Sequence, residues 1–353
     1  MFYFNLNFLF WILSLFQLLK KNKLLINIGC LIFILVSGMR YKTGLDWLMY
    51  IEYFSLSMNE IIKKGNTDIG YIYLCELFKI CGISYFGMQF LISCFVGIIT
   101  FKFYTRYSKY SLFYIFIYFN MYYLRYNMGL QKQIIAVSFC MLSFHYLQQN
   151  KILKSLFCYA IAISFHFSAL VFVLLYLLKK INIRVQIIVV VTIFITIVIL
   201  KINLINTILK ALLFLFDILK LDFFGNKILS YLGNEYYGRE SVIGKNLIIR
   251  IILIFILLFF KKNKEKNIIL SMTNCYIFFS CLSLNFHVLD RLQIYFGIFA
   301  IISFSEIIEL IKLKNLKILI YFLLSCYFSQ STLNLTFFQE RTRHYKRFIP
   351  YCN

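Results

Sequence analysis

Proline is almost absent: 353 residues hold one, Pro350. Acids are scarce as well, 14 against 37 Lys and Arg, and all charged residues together make up only 14% of the chain. An ordinary soluble domain carries about 25%, so that class is excluded. The ten cysteines form no CxxC pair and no metal-ligand spacing with His. Cys94, Cys140 and Cys158 lie inside apolar runs, where a thiol packs as a small hydrophobe. P-loop, GxSxG, HExxH and Gly-rich nucleotide signatures are missing, which removes the commonest nucleotide, serine-hydrolase and zinc-protease chemistries. Repeats and low-complexity linkers are also missing. No cofactor and no metal is expected.

What fills the chain instead is apolar: 61% of residues are hydrophobic. Runs of about 17 to 25 such residues recur throughout, the length a helix needs to cross a bilayer. The alternating segments of a membrane barrel do not occur. The expected class is therefore all-α, a polytopic membrane protein with the lipid bilayer as its first partner. The first run, FYFNLNFLFWILSLFQLL, lacks a basic start and a small-residue cleavage site and reads as a retained helix. The net charge of +23 does not point to nucleic acid, because Lys and Arg gather in short clusters between the apolar runs.

Those clusters fall at Lys20–Lys23, Lys102–Lys109, Lys151–Lys154, Lys179–Arg184, Lys261–Lys266 and Lys312–Lys317. The positive-inside rule assigns them all to the cytoplasm. Helices at about 2–19, 24–39, 83–101, 111–125 and 131–149 then alternate correctly. The run 152–178 does not, since basic clusters bound it on both sides. Its apolar pattern is interrupted by SFHFSA at 164–169. Ser168 can cap a second helix there, so 152–180 is expected to be a re-entrant hairpin with His166 at its apex. Further spans at about 185–200, 246–260, 267–285, 291–311 and 315–331 bring the total to about ten, plus the hairpin. Residues 1–331 then form one membrane domain with outer loops 40–82 and 201–245, and 332–353 form a tail.

On this topology the notable polar groups collect at the outer interface. Arg40 and Asp46 follow the second helix, Arg125 ends the fourth, and Lys132 and Gln133 open the fifth. His166 sits at the hairpin apex, Arg239 lies in the long outer loop, and His287, Asp290 and Arg291 precede or open a later helix. A single Lys or Arg at a helix end often just snorkels to water. The set says more: several guanidinium forks, with helix N-termini beside them, suit a diphosphate. Tyrosine-rich surroundings suit a sugar, although such rings also form the ordinary interfacial belt.

These stretches resemble a family. RYKTGLDWLMY (40–50) is similar to the R-x-x-x-G-x-D-x-x-x-Y segment of bacterial O-antigen and exopolysaccharide polymerases of the Wzy/EpsG type. DIGY (68–71), MGLQKQIIA (128–136), SFHFSAL (164–170) and LDRLQIYF (289–296) resemble further motifs of that family in the same order. Lys132 stands where arginine is usual. The resemblance implies a glycosyltransferase that joins undecaprenyl-diphosphate-linked oligosaccharide repeat units at the periplasmic face of the inner membrane. A flippase and a chain-length regulator of the same pathway are implied as partners.

On that reading Arg40, Tyr50, Arg125, Lys132, Gln133, Arg239, Asp290, Arg291 and Tyr295 bind substrate. The general base is His166, with Asp46 or His287 as alternatives. No nucleotide-sugar DxD motif is present, so arginines would stabilise the leaving diphosphate. Two rival functions are a ligase that transfers finished glycan from the same carrier, and a lipid-linked oligosaccharide flippase. A transporter would carry charge through the midplane and break its helices with Pro or Gly.

Overall fold

The computed structural model describes residues 2–19, 22–44, 46–63, 68–107, 110–200, 213–214, 217–218, 264–284, 289–333 and 349–350. The fold is all-α. In chain order the helices are α1 (Phe2–Leu19), α2 (Lys23–Gly38), α3 (Trp47–Ser55), α4 (Met58–Lys63), α5 (Ile69–Ile80) and α6 (Tyr85–Tyr107). They continue as α7 (Ser111–Tyr118), extended by a π-helix (Phe119–Asn127), then α8 (Gln131–Gln148) and α9 (Ile152–Phe165). After a 3₁₀ segment (Phe167–Val173) come α10 (Leu174–Leu178), α11 (Ile183–Phe194), a second π-helix (Ile195–Ile199), α12 (Lys264–Leu282), α13 (Asp290–Leu310) and α14 (Lys314–Leu333).

Helix occupies every expected span except 246–260, which lies outside the described residues. By length and composition, α1 and α6 are long and apolar enough to cross a membrane. The 40–82 segment, expected only as an outer loop, contains the short helices α3, α4 and α5. Its two-residue strand Arg40–Tyr41 pairs antiparallel with Ile349–Pro350.

Contacts divide the chain into two compact units, Met1–Leu170 with Ser305–Asn353, and Val171–Phe304. In the first, α2 packs on α6, α8 on α9, and α1 on α7 and α14. Residues 111–120 are buried without exception, because α7 and the start of the π-helix are apolar nearly all round. Lipid gives apolar helices no hydrophobic reason to associate with one another, so packing and interhelical hydrogen bonds must hold them. A polar seam supplies such bonds. Asn120 Nδ2 donates to Asn7 Oδ1 at 2.8 Å, Thr332 Oγ1 donates to Asn120 Oδ1 at 2.6 Å, and Asn7 Nδ2 donates to Ser329 Oγ at 3.1 Å. Farther along α1, Gln17 Nε2 donates to Ser111 Oγ at 2.9 Å and Gln17 Oε1 accepts from the Leu112 N–H at 2.7 Å.

In the second unit α12 and α13 run antiparallel. Gln293 Nε2 donates to Ser283 Oγ at 2.7 Å near the turn, while Thr273 and Ser303 hydroxyls meet at 2.7 Å farther along.

The break at SFHFSA is present. α9 ends at Phe165, His166 is extended (φ −159°, ψ 119°), and the chain reverses. The reversal is required by one bond: Tyr159 Oη donates to the Leu170 carbonyl at 2.8 Å. In a continuous helix those residues would lie about 16 Å apart along the axis. Ser168 was expected to cap the second leg. The backbone N–H of Ser168 instead donates to His166 Nδ1 at 3.3 Å, so the imidazole is the cap. An extended residue just before the helix is the one whose side chain can reach those N–H groups.

The seam sets a stability expectation. Asn120→Ala takes away the donor to the buried Asn7 Oδ1 and the acceptor of the Thr332 hydroxyl, a cost of about 1–3 kcal/mol. Thermal unfolding of the detergent-purified variant should show a Tm several degrees lower. An unchanged Tm would mean the seam adds nothing to stability.

Candidate functional site

Arg40 is the centre of the first unit's polar cluster. α2 runs out at Gly38 and leaves unsatisfied carbonyls, and Arg40 Nη1 donates back to that of Ser37. The side chain is 1% exposed, and its Nε and Nη2 have no hydrogen-bond partner among the described residues. Nε–H and one N–H of Nη2 point the same way, forming the edge of guanidinium that grips carboxylate or phosphate with two donors. Gln89, buried on α6, fixes the backbone around this residue. Its Nε2 donates to the carbonyls of Gly38 (2.8 Å) and Arg40 (2.9 Å), while its Oε1 accepts from Trp47 Nε1 at 3.1 Å.

Gly44 brings the loop onto its neighbour. Its φ of +115° is closed to other residues, and a Cβ there would lie 2.0 Å from the Met128 carbonyl oxygen. The loop after Arg40 therefore rests directly on the Met128–Gly129 turn that precedes α8. From that turn α8 presents Gln131 and Gln133, each 1% exposed. The Lys132 N–H donates to Tyr50 Oη at 3.4 Å, and Tyr71 Oη donates to Gln131 Oε1 at 3.4 Å. Gln131 Nε2 and the Tyr85 hydroxyl are buried without a hydrogen-bond partner among the described residues, and Tyr85 lies in the field of Arg40.

Tyr50 and Tyr71 pack at 5.4 Å between ring centroids. Burial pushes both phenols well above their usual range, and Asp46 adds to the effect on Tyr50. They stay neutral and act as hydrogen-bonding groups, not as bases.

The Lys132 ammonium pairs with Asp68 Oδ2 at 2.5 Å and stands over the Tyr53 ring at 5.8 Å. Asp68 opens α5, and two residues on Gly70 meets α9: a Cβ there would lie 2.5 Å from Ser164 Oγ and 3.0 Å from the Ser164 carbonyl carbon. The end of α9, with His166 next in the chain, is thus built against the Asp68 turn.

The structure brings together the regions of Arg40, Asp46, Tyr50, Lys132, Gln133 and His166, drawn from three separate stretches. Asp46 is half-buried at the start of α3. Arg125 sits on the first π-helix, half-buried, its guanidinium 5.5 Å from the Tyr126 ring. Asp290 and Arg291 open α13 in the second unit, and Tyr295 is fully buried one turn later. Arg239 and His287 lie outside the described residues. Asp68, Tyr71, Gln89, Gln131 and Tyr85 were missed as site residues, although DIGY already marked Asp68. Among the described residues no three His, Cys, Asp or Glu side chains group to hold a metal ion.

The EpsG family model matches residues 23–353. The chain belongs to the EpsG family. This is a family of the exopolysaccharide and O-antigen polymerase type, associated with glycosyltransferase activity in polysaccharide biosynthesis, and its membrane setting fits the apolar helices here. No curated protein and no solved structure matches. The EpsG match begins after α1, yet the polar seam binds that helix to the matched part.

Gly44 gives the sharpest test of this geometry. Gly44→Ala must displace the Met128–Gly129 turn, and the displacement should lower polymer formation by about 100-fold, as small misplacements at a site do. Membrane abundance on immunoblots should stay near wild type. Polymer ladders of wild-type length and yield would show that the loop-to-turn contact is not needed.

Proposed function

We propose that this EpsG-family protein joins undecaprenyl-diphosphate-linked oligosaccharide repeat units into polysaccharide at the periplasmic face of the inner membrane. One observation supports the reading: the buried Arg40 fork has no acceptor among the described residues. A guanidinium placed out of water and left half-satisfied costs several kcal/mol. A diphosphate offers the anionic oxygens that such a fork fits, and Tyr85 and Gln131 hold further free donors in the same cluster.

In the reaction an acceptor hydroxyl attacks the anomeric carbon of the donor glycan. The new glycosidic C–O bond forms as the bond to the lipid diphosphate breaks, and the diphosphate leaves with the electron pair. Arg40 stabilises the negative charge that develops on the leaving oxygen. Asp46, on the same loop, is the carboxylate we assign to accept the hydroxyl proton. Displacement of this kind inverts the anomeric centre. Lys132 pairs with Asp68 and so braces α8 against α5, and its ammonium is proposed to face the substrate from there, as its motif position suggests. Arg125, Gln133, Arg239, Asp290, Arg291 and Tyr295 are proposed as further substrate-binding residues, with His287 the alternative to Asp46 as base.

The test uses protein in nanodiscs with lipid-linked repeat units, scored by the glycan ladder and released undecaprenyl diphosphate. Arg40→Ala should lose about 10²–10³-fold in rate, the range for removing a donor from a developing anion. Arg40→Lys keeps the charge without the fork and should recover only part. Normal turnover by Arg40→Ala would remove the fork from the site and with it this assignment.

A further inference from the structure

The hinge at His166 allows a sharper statement about that residue, one that rests on the polymerase reading for its consequence but not for its geometry. His166 Nδ1 lies 3.3 Å from the Ser168 backbone nitrogen and 2.6 Å from Ser168 Oγ. A backbone N–H can only donate, so Nδ1 receives that bond through its lone pair and carries no proton. The neutral ring then has its proton on Nε2, and its single basic lone pair is already committed to the turn. A general base needs a free lone pair facing the acceptor hydroxyl. The neutral form also suits a half-buried position in an otherwise apolar hairpin, where an imidazolium would be costly.

We infer that His166 is a positioning residue: a neutral imidazole cap that fixes where α9 ends and the returning leg begins. The effect reaches the site through the backbone. His166 also accepts, at its own carbonyl, the Ala169 N–H at 2.9 Å, which completes the first turn of the returning leg. Tyr159 Oη closes the same reversal onto the Leu170 carbonyl. Ser164 and Phe165, the last residues of α9, form the surface on which Gly70 rests, with no room for a methyl group. Gly70 follows Asp68, and Asp68 holds Lys132 at the head of α8. If the hinge loosens, the seat of α5 shifts, and the Asp68–Lys132 brace beside Tyr50 and Gln131 moves with it.

Two amides separate the cap from a base. Asn Oδ1 occupies the place of Nδ1, two bonds beyond Cβ, and asparagine is itself a preferred N-cap residue. Gln Oε1 reaches one bond farther, to the place of Nε2. His166→Asn should therefore retain polymer formation within about three-fold of wild type, whereas His166→Gln and His166→Ala should lose about ten- to a hundred-fold.

A second readout needs no substrate. Nitroxides at Leu156→Cys and Leu170→Cys, both exposed and placed in a cysteine-free background, report the hairpin geometry as a distance distribution. It should be narrow for wild type and His166→Asn, and broader for His166→Gln and His166→Ala. Retained activity in His166→Gln with loss in His166→Asn would make Nε2 the working atom and overturn the inference. So would loss in all three variants with the distance unchanged, because the ring would then be doing chemistry. Full activity in all three, or a hairpin broadened even by His166→Asn, would also overturn it. If polymer is never made by any form but the distances follow the expected order, the polymerase assignment fails while the cap stands.

Discussion

A guanidinium taken out of water with two of its nitrogens unpaired is the costly element of this protein, and the surrounding structure is arranged to keep it there. α2 ends at Gly38 and, like any helix, leaves its last carbonyls without helical partners, and Arg40 turns back to bond that of Ser37. Gln89 holds the backbone on either side, and Trp47 holds Gln89. Gly44 then lets the loop descend onto the Met128 turn without a side chain between them. Each contact is ordinary by itself. Together they fix a charged fork in a place where only an anion or an equivalent set of acceptors would relieve it.

The same logic explains why the site is made so largely of short polar contacts between helix ends. Loops and helix termini are where backbone donors and acceptors go unsatisfied, and here three such ends meet: the close of α2, the opening of α5 and the opening of α8. Lys132 and Asp68 join two of them by an ion pair that is mostly shielded from solvent, 13% and 14% exposed at the side chains. Shielding strengthens the attraction but also makes each charge dependent on the other. A lysine suffices for that work because a point charge can meet a carboxylate oxygen from one side. The planar fork of an arginine would be needed only for a two-point grip.

Away from the site, cohesion has to come from a different source. In a protein that presents apolar surface to lipid, greasy contact does not distinguish inside from outside, so the buried amides and hydroxyls of Asn7, Gln17, Asn120, Ser329 and Thr332 specify which helices touch. The π-helix after α7 belongs to this arrangement, because Asn120 lies in its first turn and its side-chain Nδ2 also donates to the Phe116 carbonyl at 2.9 Å. Wide helical turns of this sort are uncommon and often occur beside functional groups, and Arg125 rides on this one.

Apolar run length determined the all-α class and the approximate bounds of the described helices outside 40–82, because hydrocarbon thickness leaves so little choice. The interruption at His166 was equally legible, since a polar residue amid more than ten apolar ones must either break the helix or find a partner. Family-like spacing marked Arg40, Asp46, Tyr50, Lys132, Gln133 and His166, and the fold draws their segments together. Tertiary structure decided the rest. It turned 40–82 into three helices, used Lys132 to balance Asp68, and gave the capping role to His166 instead of Ser168. Such outcomes depend on which atoms approach within about 3 Å once remote segments fold against each other. Linear spacing does not contain that distance, so the chemistry was readable from the residues while their partners were not.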